Sequence, residues 1–164
     1  MERKLPKRIV VKLGTNLLTS GKDSLDIETI QGIFAQIAAV KKSGIEVLIV
    51  SSGAVAAGRE SLSRTPDKSK LQVGTVAYKQ ALAALGQPQL MTTFEQIFAE
   101  HEVEVAQALI SRADLQSRSR YLNVRNTLDA LLSIGAVPII NENDSVATDE
   151  IRLGDNDHLA AQVA

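Results

Sequence analysis

The chain contains no cysteine and no tryptophan, and only 3% of its 164 residues are aromatic. The absence of cysteine excludes disulfides, thiolate metal sites and a cysteine nucleophile, and it is compatible with the cytoplasmic location that we expect. Aromatic residues are too few to form platforms for stacked bases, and the formal net charge of −1 provides no excess of cations for a polyanion. We therefore expect no nucleic-acid partner.

Long hydrophobic runs are also absent. The N-terminal segment MERKLPKRIVVKLG has only a short apolar run before a glycine, which does not match a signal peptide. No apolar stretch approaches the roughly 20 residues that cross a bilayer, so we expect no membrane partner. With 45% hydrophobic residues the chain can bury one substantial core, and a single globular domain is the simplest expectation.

Short β-branched runs alternate with longer helical patterns, which is typical of an α/β fold with βαβ units around a mostly parallel sheet. Four runs dense in Val and Ile predict strands that are buried on both faces, beginning near Arg8, Glu46, Val103 and Ala136. The clearest helix follows Asp26, a suitable N-cap, and ends before Gly44. Further helices are predicted in GAVAAGRESL, VAYKQALAALG, PQLMTTFEQIFAEH and SRYLNVRNTLDALLSIG, with Gly86 and Gly135 as stops.

Three polar clusters follow predicted strands: KLGTN, SSGA and NENDS. Ligands of open α/β sheets bind beyond the carboxyl ends of the strands, so the three clusters predict one shared crevice. Lys12 and Gly14 could face a phosphate together, although a lysine at a strand end often only lies along the surface. Ser52 and a helix that begins near Gly53 suit a carboxylate or phosphate, although small residues also occur where a helix packs closely on a sheet.

The segment from Pro138 to the C-terminus crowds six carboxylates into the NEND and GDND motifs and the stretch between them. Such groups could accept hydrogen bonds from a substrate ammonium or hold magnesium through water. Alternatively, Asp155 or Asp157 only caps the following helix. The residues alone leave a metal site, a substrate site and a solvated loop open.

Six strings occur in unbroken order from about Ile9 to the end of the chain: VVKLGTNLL, IVSSGAVAAGRE, KQALAALGQ, RADLQSRSRYLNVRNTL, VPIINENDSVAT and IRLGDNDHLAA. They resemble the glutamate 5-kinases of the amino acid kinase family. The resemblance implies a three-layer αβα sandwich around a mostly parallel sheet. It also implies transfer of the ATP γ-phosphoryl group to the γ-carboxylate of glutamate, which forms γ-glutamyl phosphate in the first step of proline biosynthesis.

The resemblance implies roles for matching residues on the phosphate side of the site. Lys12 would lie against the transferred phosphoryl group, and Asp157 would orient Lys12 or the metal-bound phosphates. Gly14 and Thr15 would face the phosphates. ATP and Mg²⁺ are the implied nucleotide and metal ion, but no metal-binding residue is assigned.

On the other side of the site, the resemblance implies that Ser52 and the turn at Gly53 and Ala54 hold glutamate. Asp144 and Asn156 would bind its amino-acid end. Family members are inhibited by proline around the glutamate site, so the loop containing Glu150 is a hypothetical part of that feedback. A homo-oligomer is also implied.

The resemblance covers only the N-terminal part of the family. The family's nucleotide-binding motifs and its RNA-modification-type domain do not follow Ala164. Residues 1–164 are therefore expected to form the glutamate-binding part of an incomplete kinase domain, with little kinase activity alone. Two alternatives are a non-catalytic module that binds glutamate or proline, or only oligomerises, and another family member such as acetylglutamate kinase.

Overall fold

The structure, a computed structural model, describes residues 6–146 and 155–164. Its sheet has four parallel strands in the order β1-β2-β4-β3. The strands are β1 (Arg8–Leu13), β2 (Glu46–Ser51), β3 (Val105–Ile110) and β4 (Val137–Glu142). All four were predicted from their β-branched runs, and β3 begins two residues later than expected.

Seven helices lie in the described part of the chain. They are α1 (Thr15–Thr19), α2 (Ile27–Lys42), α3 (Ala54–Ser63), α4 (Val76–Ala99), α5 (Arg112–Gln116), α6 (Arg118–Ser133) and α7 (Asp155–Val163). A short 3-10 turn spans Lys68–Lys70. The five-residue helices α1 and α5 were not predicted, because a single turn has no apolar period to detect. Among the described helices none is long and apolar enough to cross a bilayer.

The predicted start of α2 is confirmed in detail. The Asp26 carboxylate accepts a hydrogen bond from the Thr29 N–H at 3.2 Å and so satisfies one of the unpaired donors of the first turn. The pKa of Asp26 is lowered, first by the hydrogen bond with Ser20 and then by the Thr29 N–H. Beyond the helix, Gly44 adopts a positive φ of 89°.

The core consists of two clusters, one on each face of the sheet. Val47 and Ile49 of β2 point to the side covered by α2, α3 and α4, where Phe34 stacks on Phe98 with ring centroids 4.2 Å apart. The alternate residues Leu48 and Val50 point to the other side, which α6 and α7 cover. Helices on both faces of a parallel sheet make the three-layer αβα architecture that was predicted.

One predicted boundary was wrong. Gly86 does not end a helix, since α4 runs without interruption through Gly86 and Pro88. Gly86 instead lies against α3, where a β-carbon would stand 1.9 Å from the Ala54 carbonyl oxygen. Glycine is a weak helix former, but the burial of the whole α4 face against α3 outweighs a cost of about 1 kcal/mol.

Helix α5 begins with a capping box that predicts a pH-dependent stability. The Ser111 N–H and Oγ both donate to the Asp114 carboxylate, at 2.8 and 2.5 Å, and Arg120 lies 3.3 Å away. The Ser111 side chain is the main reason that the pKa of Asp114 is lowered. A lowered pKa in the folded state means that the carboxylate stabilises the fold above its unfolded pKa, and that this stability is lost as the pH falls through the folded pKa.

We therefore expect Asp114→Asn to reduce the unfolding free energy by about 1 kcal/mol at neutral pH, with the difference shrinking as the solution is acidified. Urea denaturation of both chains at neutral pH and at a series of acidic values down to about pH 2, well below the ordinary aspartate pKa of about 3.9, measures this. Asp67→Asn, which removes only an exposed pair with Lys70, is the control and should change little at either pH. A loss for Asp114→Asn that does not depend on pH would contradict the assignment.

Candidate functional site

The candidate site lies where β1, β2 and β4 end side by side. Because the strands are parallel neighbours, their carboxyl ends meet at one edge of the sheet, as predicted for the three polar clusters. Helix α7 packs over this edge and contacts all three strands. Asn156 on this helix bonds to Ser51 at the end of β2, and Asp157 pairs with Lys12 of β1. One turn of α7 therefore contacts both the β1 side and the β2 side of the crevice.

Lys12 and Asp157 form an ion pair at the β1 side of the crevice. Lys12 Nζ lies 2.7 Å from Asp157 Oδ1, and the two side chains are 35% and 65% exposed. A β-carbon on Gly14 would stand 3.1 Å from the same Nζ, so the ammonium lies over the Gly14 backbone. Ion pairs with this exposure contribute roughly 0–1 kcal/mol, so an arriving anion can replace the carboxylate at little cost.

The segment after β1 turns directly into α1. Gly14 is the N-cap of α1, and its carbonyl accepts hydrogen bonds from the N–H groups of Leu17 and Leu18, each at 3.1 Å. Thr15 is exposed at the first position of the helix. Gly14 therefore lies beside Lys12, and Thr15 follows it as the first residue of α1. That either residue faces phosphate stays a prediction.

On the β2 side of the crevice, the Asn156 side chain makes three hydrogen bonds. Its Nδ2 donates to the Ser51 carbonyl oxygen and to Ser52 Oγ, both at 2.9 Å, and to Asn141 Oδ1 at 3.1 Å. Because the Ser52 oxygen accepts this bond, its own hydroxyl hydrogen can point elsewhere, including toward a ligand. Asn156 Oδ1 is buried and has no hydrogen-bond partner among the described residues.

The turn between Ser52 and α3 requires glycine. Gly53 has a φ of 99°, which favours glycine over residues with a β-carbon, and it lies against Leu18. Ala54 is 3% exposed and its methyl belongs to the core cluster on the α3 and α4 face. Of the predicted glutamate contacts, Ser52 therefore presents a side chain to the crevice, whereas Ala54 can present only its backbone.

The structure describes only part of the acidic segment that runs from Pro138 to the C-terminus. Asp144 is half-buried in the turn that follows β4, at the same edge of the sheet. Asp157 lies inside α7 and pairs with Lys12, so its carboxylate has a partner other than the helix end. Glu150, predicted for the proline-feedback loop, lies outside the described residues.

Two buried amides of the site were given no individual role from the sequence: Asn141 was noted only as the first residue of the NEND motif, and Gln87 was missed. Asn141, 3% exposed, ends the apolar run of β4, and Gln87, 9% exposed, lies on α4. Asn141 Nδ2 donates to Gln87 Oε1 at 2.9 Å. A polar residue within the run of Val and Ile in β4 was an available signal for Asn141, but the mistaken helix stop at Gly86 hid Gln87.

An open groove adjoins the crevice near the end of β3. Its volume is about 400 Å³, and it is lined by Arg112, Gln116, His158 and Gln162. His158 follows Asp157 on α7 and is exposed. Helix α7 therefore contributes residues to two neighbouring openings, the crevice at Lys12 and this groove.

Comparison with known proteins agrees with the fold and the motifs. The chain is 53% identical to the glutamate 5-kinase of Shewanella amazonensis over 160 residues, which cover 96% of this chain and 40% of that protein. It is 52% identical to the glutamate 5-kinase of Herpetosiphon aurantiacus over 164 residues, 100% of this chain and 43% of that protein. The chain thus spans about two fifths of the length of these relatives.

A solved structure supports the fold alone. The isopentenyl phosphate kinase of T. acidophilum matches with a TM-score of 0.53 at 13% identity, over 88% of this chain and 58% of that one. The resemblance to glutamate 5-kinases inferred from the six strings is confirmed by the curated relatives. The model of the amino acid kinase family matches residues 7–164, and the chain therefore belongs to the amino acid kinase family.

Proposed function

We propose that this chain binds glutamate and takes part in the phosphorylation of its γ-carboxylate by ATP, which yields γ-glutamyl phosphate for proline biosynthesis. The observation that carries the proposal is that a cationic group and a polar pocket lie at the same edge of the sheet. The cationic group is Lys12, paired with Asp157, and the polar pocket is formed by Ser52 and Asn156. The relatives named glutamate 5-kinases support glutamate as the substrate.

Glutamate would be held at the β2 and β4 side. Its ammonium group is a donor, and the buried Asn156 Oδ1 is an acceptor without a partner among the described residues. We assign Asp144 to the same ammonium, since its carboxylate adds the opposite charge. The hydroxyl of Ser52, whose oxygen already accepts from Asn156, would donate to a substrate carboxylate.

One oxygen of the γ-carboxylate would attack the γ-phosphorus of ATP, forming the O–P bond of an acyl phosphate. The bond between the γ-phosphorus and the bridging oxygen breaks at the same time, and that oxygen leaves with ADP. A carboxylate is ionised at neutral pH, so the attack needs no general base. Phosphoryl transfer depends mainly on positioning and charge stabilisation, which the Lys12 ammonium over Gly14 can supply. Asp157 would hold Lys12 in place until the phosphoryl group arrives.

The family implies Mg²⁺, which kinases commonly hold through one or two carboxylates together with the substrate phosphates. In the part of the chain that the structure describes, no group of three or more His, Asp or Glu side chains stands close enough together to hold a metal ion. We therefore assign no metal ligand in this chain and no step to the metal.

Calorimetry tests the proposal with two ligands: glutamate, and a phosphonate analogue of γ-glutamyl phosphate. The unaltered chain should bind both ligands. Lys12→Met should lower the affinity for the phosphonate by about ten- to a hundredfold and change the affinity for glutamate much less. Lys79, exposed on α4, provides the control. If the effect depends on the Lys12 ammonium and not on the net charge of the chain, Lys79→Met should leave both affinities unchanged. A chain that shows no glutamate binding by calorimetry at two well-separated temperatures does not have this function.

Proline, self-association and a cytoplasmic location are further parts of the proposal that rest on the family alone. Proline added first should lower the apparent affinity for glutamate if the two compete. A Glu150→Ala chain that keeps both proline sensitivity and glutamate affinity would remove this residue from the feedback loop.

A further inference from the structure

Three side-chain amides form a continuous relay from the interior of the fold to the candidate site. Gln87 on α4 accepts from Asn141 through Oε1, and Asn141 at the end of β4 accepts from Asn156 on α7 through Oδ1. The two distances are 2.9 and 3.1 Å. Gln87 and Asn141 are 9% and 3% exposed, so water competes little for these bonds.

The direction of the relay is set by backbone groups, whose donor and acceptor atoms are not interchangeable. The Glu142 N–H donates to Asn141 at 2.9 Å, so the atom of Asn141 that faces it must be the oxygen. The nitrogen of Asn141 then faces Gln87, which must present Oε1. At the other end, Asn156 faces the Ser51 carbonyl oxygen, so this atom of Asn156 must be the nitrogen.

The fixed direction determines which atoms remain at the two ends. Gln87 Nε2 and Asn156 Oδ1 are buried side-chain atoms with no hydrogen-bond partner among the described residues. At the Asn156 end, Nδ2 donates to Ser52, and the atom that remains unpaired is therefore the acceptor Oδ1. If the relay ran the other way, Asn156 would present an N–H group, which repels an ammonium group.

We propose that Gln87 is a positioning residue for glutamate binding, acting through Asn141 to keep Asn156 Oδ1 toward the substrate ammonium. The inference rests on the proposed function, since it needs a ligand that carries a donor at this end. Without Gln87 Oε1 the buried nitrogen of Asn141 loses its acceptor, and the Glu142 N–H is then the remaining contact that orients the Asn141 amide. Asn156 keeps its bonds to Ser51 and Ser52, but its bond to Asn141 is weakened, so its oxygen is held less firmly toward the substrate.

The test compares glutamate with glutarate, which has both carboxylates but no ammonium group. Gln87→Met removes the acceptor with little change in volume, and it should lower glutamate affinity about tenfold or more while changing glutarate affinity less than about threefold. Gln87→Glu keeps an oxygen at Oε1 and should restore the glutamate preference. Gln89→Met, two residues along the same helix, removes contacts to Ser61 and Glu60 and should leave the ratio unchanged.

Equal weakening of both ligands by Gln87→Met would mean a loosened pocket and would overturn the positioning role. So would a glutamate affinity that does not change. If the unaltered chain binds no glutamate, the proposed function and this inference fail together, whereas an unchanged ratio in a chain that binds glutamate removes only the role of Gln87.

A second measurement does not depend on the folding of a variant. In the unaltered chain without ligand, the side-chain amide protons of Asn141 and Asn156 should exchange slowly with solvent in ¹⁵N–¹H spectra. The side chain of Asn126, exposed on α6, should exchange rapidly and serves as the internal reference. Rapid exchange at Asn141 would overturn the relay.

Discussion

A Gly86→Ala chain should be largely unfolded under conditions in which the unaltered chain is folded. A β-carbon at Gly86 would lie 1.9 Å from the Ala54 carbonyl oxygen and 2.3 Å from the Gly58 nitrogen. Both atoms belong to the backbone of α3, so no side-chain rotation relieves the overlap and the two helices must separate. We expect a loss of more than about 3 kcal/mol, a large part of the stability of a typical domain.

Urea denaturation followed by circular dichroism measures this effect, and Gly32→Ala is a matched control. Gly32 also lies inside a helix, α2, but a β-carbon there would meet nothing within 4 Å. That substitution should raise the stability by up to about 1 kcal/mol, because alanine is the better helix former. Equal effects at the two glycines would show that the close contact of α3 with α4 does not exist in solution.

Asn156→Ala should reduce glutamate affinity by more than about a hundredfold. The substitution deletes the proposed ammonium acceptor, and hydrogen bonds to charged groups contribute about 1.5–3 kcal/mol each. It also removes the donor to Ser52 Oγ, so the second glutamate contact loses its fixed orientation. The combined loss should exceed that of Ser52→Ala, which leaves Asn156 bound to Ser51 and Asn141.

Calorimetric titration with glutamate measures the loss, and Asn126→Ala on the exposed face of α6 serves as the control. Thermal unfolding of both variants separates a damaged pocket from a damaged fold. An Asn156→Ala chain that is folded and binds glutamate normally would exclude Asn156 from the site.

The strands were predictable because their signal is local. Each of the four runs is apolar enough to predict a strand, and the central strands β2 and β4 are buried on both faces as expected. The prediction of full burial was wrong for β1 and β3, which are only partly buried because they lie at the edges of the sheet. Helix α2 was equally clear, with an N-cap at Asp26 and an apolar stripe. The stop at Gly86 failed because a local preference of about 1 kcal/mol was opposed by long-range packing, which the sequence pattern does not reveal.

The candidate site was predictable only in part, for a related reason. Lys12, Ser52 and the acidic segment were found because polar residues at the ends of buried strands mark the ligand-binding edge of such sheets. Gln87 was missed, and Asn141 was noted only within the NEND motif, because their contact joins residues 54 positions apart in the sequence. Their positions within apolar helix and strand patterns gave no sign of that contact.

Residue type and order alone were enough to predict the alternation of strands and helices, the sheet edge where the candidate site lies, and the resemblance to a kinase family. These depend on residue type and order along the chain. The resemblance left Asp157 either to orient Lys12 or to act on the metal-bound phosphates, and the tertiary structure shows its ion pair with Lys12. The packed fold was also needed to place Gly86 inside α4 and to show that Asn156 presents an oxygen. Each of these depends on a contact between distant segments, since the direction of a hydrogen bond or the room for a β-carbon exists only after the layers have packed.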